Sequence, residues 1–385
     1  MARSVKRLSR FRLAVLLAGA LCPAAVLAAD PADTPARLVE AGAAVTPDAA
    51  GRYDLSALGF KAAPVAAAKP AGTFRILSIG DSYAYGITTS RYSYAAMLQD
   101  VLRREGREVE IVNLGIPSIG FPEYVAIYRF WAGRIEHDAV LFGVHAGTDW
   151  IDGDYAFPYR AAGERLLTDA RILLTPKLVA SLAPKGTPQR GLDKPPPPDP
   201  RYDSQVQFDA ASYLDILRQW GRGYRPESFA ALATGHALAR RFLAVAAEIS
   251  RAGKAVLVFV APSPLAVSPE WRRKVADAES ADAAAFDPYL PGALLGAIAG
   301  RDGGVPVVDL TACFAAAAQP ESLYYGTNGH WSIAGNRLAA DALAGAIRRR
   351  WFAEASLAET CGDIEMVPRR GAAYDWLSPL AGRRN

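Results

Sequence analysis

The chain has 385 residues, enough for one large or two modest domains and a sizeable buried core. Its composition is that of a globular protein, 51% hydrophobic and 21% charged. Five of the 43 basic residues lie in the first 28 positions, which leaves 38 against 39 acidic residues and gives no basis for a basic, nucleic-acid-binding surface.

Residues 1–28 read as a secretory signal peptide. Arg3, Lys6, Arg7, Arg10 and Arg12 precede the apolar run LAVLLAGAL, and AVLAAD offers small residues for cleavage near Ala28 or Ala29. An uncleaved anchor is the alternative, but the run falls short of the roughly 20 residues needed to span, and Pro23 interrupts it. Lipidation at Cys22 is disfavoured by Leu21, which stands where a small residue is wanted. Export to the periplasm or beyond is the expectation, with no stable membrane span after cleavage. Two cysteines then remain, Cys313 and Cys361, and an oxidising compartment leaves a disulfide between them open.

Residues 29–70 are rich in Ala and Pro and read as an arm or linker laid on the surface. A domain of the α/β class is expected over 71–351, followed by a C-terminal extension, 352–385. Five short apolar runs suit buried parallel strands: 74–80, 108–115, 137–144, 254–262 and 305–310. Between the first two, Tyr94, Met97, Leu98, Val101 and Leu102 fall on one helical face, which Gly106 ends. A long helix is expected over 227–253, and a last one after Ser332, its N-cap, with Leu338, Ala342, Leu343, Ala346 and Ile347 on one side. The segment 152–225 is an oversized, Pro-rich insertion. Its place after the third strand puts it beside the carboxyl ends of the strands, as a lid, a binding loop or a disordered excursion.

The chemistry-bearing residues gather at that same edge. Ser82 directly follows the first strand in a Gly-Asp-Ser turn, where backbone N–H groups can stabilise an oxyanion. Read alone, the triplet is equally a common turn. A serine nucleophile needs a base. His137 heads a strand and His236 lies within a helical pattern, so both read as structural; His145 follows the third strand and is a secondary candidate. His330 stands in a Gly-rich loop after the fifth strand, where catalysis and helix capping are both open. Asp149, Asp152 and Asp154 lack the spacing of a calcium loop and read as turn residues. Asp309 ends the fifth strand and reads as structural, with a carboxylate partner for His330 as its other role. The aromatics Tyr83, Tyr85, Trp150, Tyr155, Tyr159 and Trp331 cluster at the edge and suit either sugar stacking or lid packing. No cofactor and no metal is expected: there is no metal-ligand set of cysteines, no phosphate loop and no dinucleotide fingerprint.

Taken together, the blocks IGDSYAYG, NLGIPSIG, FGVHAGTDWID and LYYGTNGHWSIAGNRLAADAL resemble those of the SGNH/GDSL hydrolase family, in particular secreted bacterial members related to alginate O-acetyltransferase-like proteins. The resemblance spans about residues 74–350. It implies a three-layer, flavodoxin-like α/β/α sandwich with a five-stranded parallel sheet. It also implies a nucleophile at Ser82, a base at His330, and an oxyanion hole built from the Ser82 and Gly115 N–H groups. Two positions depart from the family pattern. Thr148 stands where an asparagine usually joins the oxyanion hole, and Asn328 and Thr327 stand where an aspartate usually orients the histidine.

The leading expectation is therefore an exported serine esterase or acyl transferase working through a Ser82–His330 dyad on a small acyl ester. An acetylated carbohydrate is the substrate class the resemblance implies, with envelope polysaccharide machinery as a partner. A carbohydrate-binding scaffold with weakened chemistry is the alternative, and a lipid esterase with the insertion as its lid is the third.

Overall fold

A computed structural model describes residues 45–151, 163–182, 191–194, 197–301, 304–353, 361, 372–377 and 379–381. The expected leader, the first part of the arm and most of the C-terminal extension lie outside them.

Two short strands, β1 (Arg52–Tyr53) and β2 (Val65–Ala66), pair antiparallel within the arm. Five more form the central sheet: β3 (Phe74–Gly80), β4 (Val109–Asn113), β5 (Ala139–His145), β6 (Ala255–Ala261) and β7 (Val307–Asp309). Their order is β4-β3-β5-β6-β7 and every pairing is parallel. The apolar runs are β-branched and buried along their length, as a sheet covered on both faces requires; all seven residues of β5 are buried. β3 matches its run, and the other four strands are shorter than theirs by one to three residues, because the run ends already turn toward the loops.

The nucleophile-bearing turn is a short helix, α1 (Ser82–Tyr85). Then come α2 (Tyr94–Arg104), α3 (Phe121–Ala132), α4 (Ala210–Gly221), α5 (Ala233–Arg251), α6 (Leu290–Ala299) and α7 (Ile333–Trp351). One pair, α2 and α7, packs together; α5 packs with both α3 and α6. The fold is thus α/β, a five-stranded parallel sheet flanked by helices, as the sequence led us to expect. Helix α2 starts at the Ser93 cap and stops at Gly106, whose φ of +81° a side chain would disfavour. Ser332 caps α7 by accepting from the Gly335 N–H at 3.3 Å. The buried face of α7 is wider than expected, adding Ala339, Ala340 and Ala344, because its small side chains admit α2 closely.

The continuous helix expected over 227–253 is instead two, Pro226–Ala230 and α5, separated at Ala231 and Leu232. At Gly235, in the first turn of α5, a Cβ would lie 2.0 Å from the Trp150 carbonyl oxygen, so the β5 loop packs against bare backbone there. The arm is not a loose surface strand over its described part. Tyr53 and Phe60 bury their rings edge-on to Trp131. Arg75 of β3, itself buried, donates to the carbonyls of Ala66 (3.0 Å) and Glu136 (2.9 Å) and pairs with Glu110 (2.7 Å). Cys313 and Cys361 form a disulfide, which ties a residue of the C-terminal extension to the segment after β7.

Candidate active site

Strand order reverses around β3: the chain crosses first to β4 on one side and then to β5 on the other. Open parallel sheets bind ligands at such a switch point, beyond the carboxyl ends of the strands. Ser82 leaves β3 there, and His145 ends β5 beside it.

Asp81 is the N-cap of α1 and accepts from the Tyr83 N–H at 2.9 Å. Its carboxyl is buried, and burial raises it to about 7. Ser82, half-buried, has its Oγ 3.4 Å from Asp81 Oδ2. Tyr83 is buried behind it and donates to the Gly329 carbonyl at 2.7 Å, which pins the serine helix to the histidine loop. Its ring stacks on His145 (4.1 Å between centroids) and lies 5.2 Å from that of His330. One tyrosine therefore spaces both imidazoles beside the serine.

His330 sits in the loop before α7 and is held by Asn328, whose Oδ1 is 2.7 Å from His330 Nδ1. The Asn328 Nδ2 donates to the Val206 carbonyl at 2.8 Å. Val206 O can only accept, so it fixes which end of the amide faces the ring; Oδ1 then accepts, and His330 Nδ1 carries the proton. The other nitrogen, Nε2, is left in the basic form. Burial lowers the imidazole to about 4, so it stays neutral through the physiological range. Among the described residues, the hydrogen bonds of the two side chains run to Asp81 and Asn328, and no direct Ser82–His330 bond is formed.

The three expected oxyanion donors come from the segments after three different strands, β3, β4 and β5, and each is engaged. The Ser82 N–H helps hold the Asp81 carboxylate. The Gly115 N–H donates to Asn113 Oδ1 at 3.0 Å, so a place in an oxyanion hole requires that bond to be exchanged. Gly115 has a second, steric reason to lack a side chain: a Cβ would lie 2.4 Å from the Tyr85 nitrogen and 2.6 Å from the Ala84 carbonyl carbon. Thr148 Oγ1 is 2.8 Å from His145 Nδ1. The same hydroxyl donates to Asp149 Oδ1 at 3.4 Å, so its use at an oxyanion requires that bond to be exchanged.

The remaining candidates divide clearly. His145 is buried between Tyr83 and Trp220, and burial holds it well below the usual histidine range. His137 bonds the Ile135 carbonyl (2.8 Å), and His236 packs among Trp150 and Phe229, so both are structural. Asp149 accepts from Tyr124 Oη (2.8 Å) and the His145 N–H (3.0 Å); it braces the β5 loop. Asp309 accepts from the Thr311 N–H at 2.8 Å, while Asn328 is the group that holds His330. Trp150, Trp331 and Tyr83 are core side chains, which removes them as exposed sugar platforms, and Tyr85 is half-buried. Asp152, Asp154, Tyr155 and Tyr159 lie outside the described residues. Sequence reasoning missed Val206, whose contribution is a backbone carbonyl that no residue type announces, and Lys61, which the arm brings to the loop after Ser82.

Residues 218–371 match the family model of the SGNH hydrolase-like domain of the acetyltransferase AlgX. That stretch of the chain is similar to an SGNH hydrolase-like domain. The match contains Asn328 and His330, whereas Ser82, Gly115 and Thr148 lie upstream of it. The match supports a broad class, hydrolase or acyltransferase, with no acyl group or acceptor specified. No curated protein sequence matches the chain. Among solved structures, a lipase/acylhydrolase from Enterococcus faecalis is 12% identical, over 72% of this chain and 96% of that one, at a TM-score of 0.36. LAE5, an alpha/beta hydrolase enzyme from the metagenome of Lake Arreo, Spain, is 15% identical, over 74% and 97%, at a TM-score of 0.36. Among the described residues, no helix is long and apolar enough to cross a membrane.

Proposed function

We propose that this chain is an exported serine esterase or acetyl transferase that works through Ser82 and His330 on an acetylated carbohydrate. The observation that carries the reading is the Val206–Asn328–His330 chain of hydrogen bonds, which leaves Nε2 of a neutral imidazole as the available base. In the reaction, His330 Nε2 takes the Ser82 Oγ proton as that oxygen attacks the acyl carbon. Collapse of the tetrahedral intermediate passes the same proton to the departing alcohol oxygen and leaves an acyl-serine. Water or a second hydroxyl then attacks the ester, giving its proton to His330, and collapse breaks the acyl–Oγ bond as His330 returns that proton to Ser82. Hydrolysis and transfer differ only in that acceptor. The side chain of Asn328 holds the imidazolium through a neutral carbonyl, a weaker partner than a carboxylate.

The oxyanion is assigned to the Ser82 N–H, the Gly115 N–H and the Thr148 hydroxyl. Their engagement elsewhere favours the competing reading, a binding scaffold with weakened chemistry. Purified protein with a short-chain chromogenic acetyl ester separates the two. The enzyme reading expects Ser82→Ala and His330→Ala each to bring turnover to background. Equal turnover in all three proteins would sink it in favour of the scaffold.

A further inference from the structure

The far end of the long insertion forms a strap, residues 201–208, that bridges the loop after Ser82 and the loop carrying His330. On the serine side, the Thr89 N–H donates to the Arg201 carbonyl (2.9 Å) and the Asp203 N–H to the Ile87 carbonyl (2.8 Å). Lys61 from the arm clamps this junction. Its ammonium pairs with Asp203 (2.8 Å) and donates to the carbonyls of Gly86 (2.7 Å) and Thr88 (2.9 Å), which uses all three of its hydrogens. On the histidine side, Gln207 Oε1 accepts from the Thr327 N–H (2.7 Å) and Oγ1 (3.2 Å), and its Nε2 donates to the Tyr325 carbonyl (3.3 Å). Thr327 Oγ1 is also 2.7 Å from the Phe208 carbonyl, and Tyr202 stacks on Tyr325 at 4.2 Å. At Gly326 (φ +51°) a Cβ would lie 2.3 Å from Gln207 Oε1, so the histidine loop closes on the strap only with glycine there.

We infer that Val206 and Gln207 are positioning residues for His330, and that seating of this strap selects the base-competent tautomer of the imidazole. The inference rests on the Ser82–His330 reading above. An asparagine amide has two orientations that fill the same volume. With Val206 O in place, the flipped form sets a carbonyl oxygen against a carbonyl oxygen in a buried position and is excluded. With the strap displaced, both orientations are open. The flipped amide donates to His330 Nδ1, which moves the ring proton to Nε2, where it blocks proton transfer from Ser82. The insertion thereby supplies, through its backbone, the orientation that a carboxylate supplies in other serine–histidine sites.

The test is Gln207→Ala, which removes the side chain fastening the strap to the histidine loop while leaving Val206 and Asn328 in sequence. Nitrogen-15 NMR reads the tautomer directly, and the chain has only four histidines to assign. In the wild type, His330 is expected as a single Nδ1–H tautomer. In Gln207→Ala a mixture is expected, with kcat on the short-chain ester lowered by about tenfold or more and KM within a factor of about two. Thr327→Val, which deletes one hydroxyl and keeps its shape, is expected to move both readouts in the same direction by less. A single Nδ1–H tautomer with unchanged kcat in both variants would overturn the inference. Should Ser82→Ala keep full turnover, the dyad reading fails while the tautomer measurement still decides the role of the strap.

Discussion

Replacing Asn328 by aspartate installs the residue usual in the family that the sequence blocks resemble, and the structure shows why the gain is limited. Asn328 Oδ1 lies 2.7 Å from His330 Nδ1, so a carboxylate there stabilises the imidazolium directly. An opposite charge at such range raises a histidine pKa by about 1–3 units, each worth about 1.4 kcal/mol. On the other side, Asn328 Nδ2 donates to Val206 O at 2.8 Å, and aspartate has no hydrogen to give. The buried carbonyl is left unpaired against a carboxylate oxygen, at a cost of about 1–3 kcal/mol to the folded state. His330 in the wild type is neutral above about 4, so kcat/KM falls only as pH drops through that value. In Asn328→Asp that acid limb is expected to move up by about one to three pH units. A carboxylate at this buried position is itself costly to ionise, which offsets part of the imidazolium's stabilisation, so kcat at pH 7 is expected to change by no more than about tenfold. The melting temperature is expected to fall by several degrees, on the order of 2–4 °C per kcal/mol. The assays are pH–rate profiles on a chromogenic acetyl ester between pH 4 and 9, with thermal unfolding by circular dichroism. An unmoved acid limb together with an unmoved melting temperature would refute the geometry at Asn328.

Three further perturbations address the neighbouring groups. Gly115→Ala places a methyl carbon 2.4 Å from the Tyr85 nitrogen, against backbone rather than a yielding side chain; it is expected to cost about 1–3 kcal/mol or more in urea unfolding and to abolish turnover by shifting α1. Thr148→Val is expected to lower kcat by about 10²-fold at unchanged KM, and His145→Phe, which keeps the stack on Tyr83, by less; the double variant should match Thr148→Val alone, and additive losses in this cycle would show that His145 does not act through Thr148. Asp81 contributes a pH-dependent stability of definite sign: its value rises from 3.8 to about 7 on folding, so the folded state holds the extra proton and stability from this group falls as pH rises through that window. Asp81→Asn should flatten the slope between urea midpoints at pH 4.5 and 7.5, and an identical slope in both proteins would remove Asp81 as its source.

The sheet was legible because each strand is a short apolar run bounded by polar turns, and burial on both faces demands that pattern. Ser82, Asn328 and His330 were legible as an ordered set of motifs, since the strands deliver their loops to one edge. Other features were hidden for physical reasons. The close approach of Trp150 to Gly235, just past the break before α5, is a contact between segments far apart in the chain. Trp150 and Trp331 suggested sugar platforms because aromatic residues suit both surfaces and cores, and only packing distinguishes these. The Val206 carbonyl left no trace at all, because every residue has one.

The arm carries a consequence for how the chain reaches its native state. It is among the first described segments to be made, yet its partners come much later: Trp131 and Glu136 after β4, Lys177 donating to the Ala57 carbonyl at 2.7 Å, and Asp203 in the strap. The outer edge of β4, an outermost strand of the sheet, is met by α2: Gln99 Oε1 accepts from the Ile111 N–H at 2.8 Å and Arg103 Nε donates to the Val109 carbonyl at 2.7 Å. That edge is therefore closed by a helix made just before it, whereas the arm waits for partners from more than half of the chain. The segment that begins the described fold is therefore among the last to be secured, and a folding chain interrupted before the strap docks leaves Lys61 without Asp203.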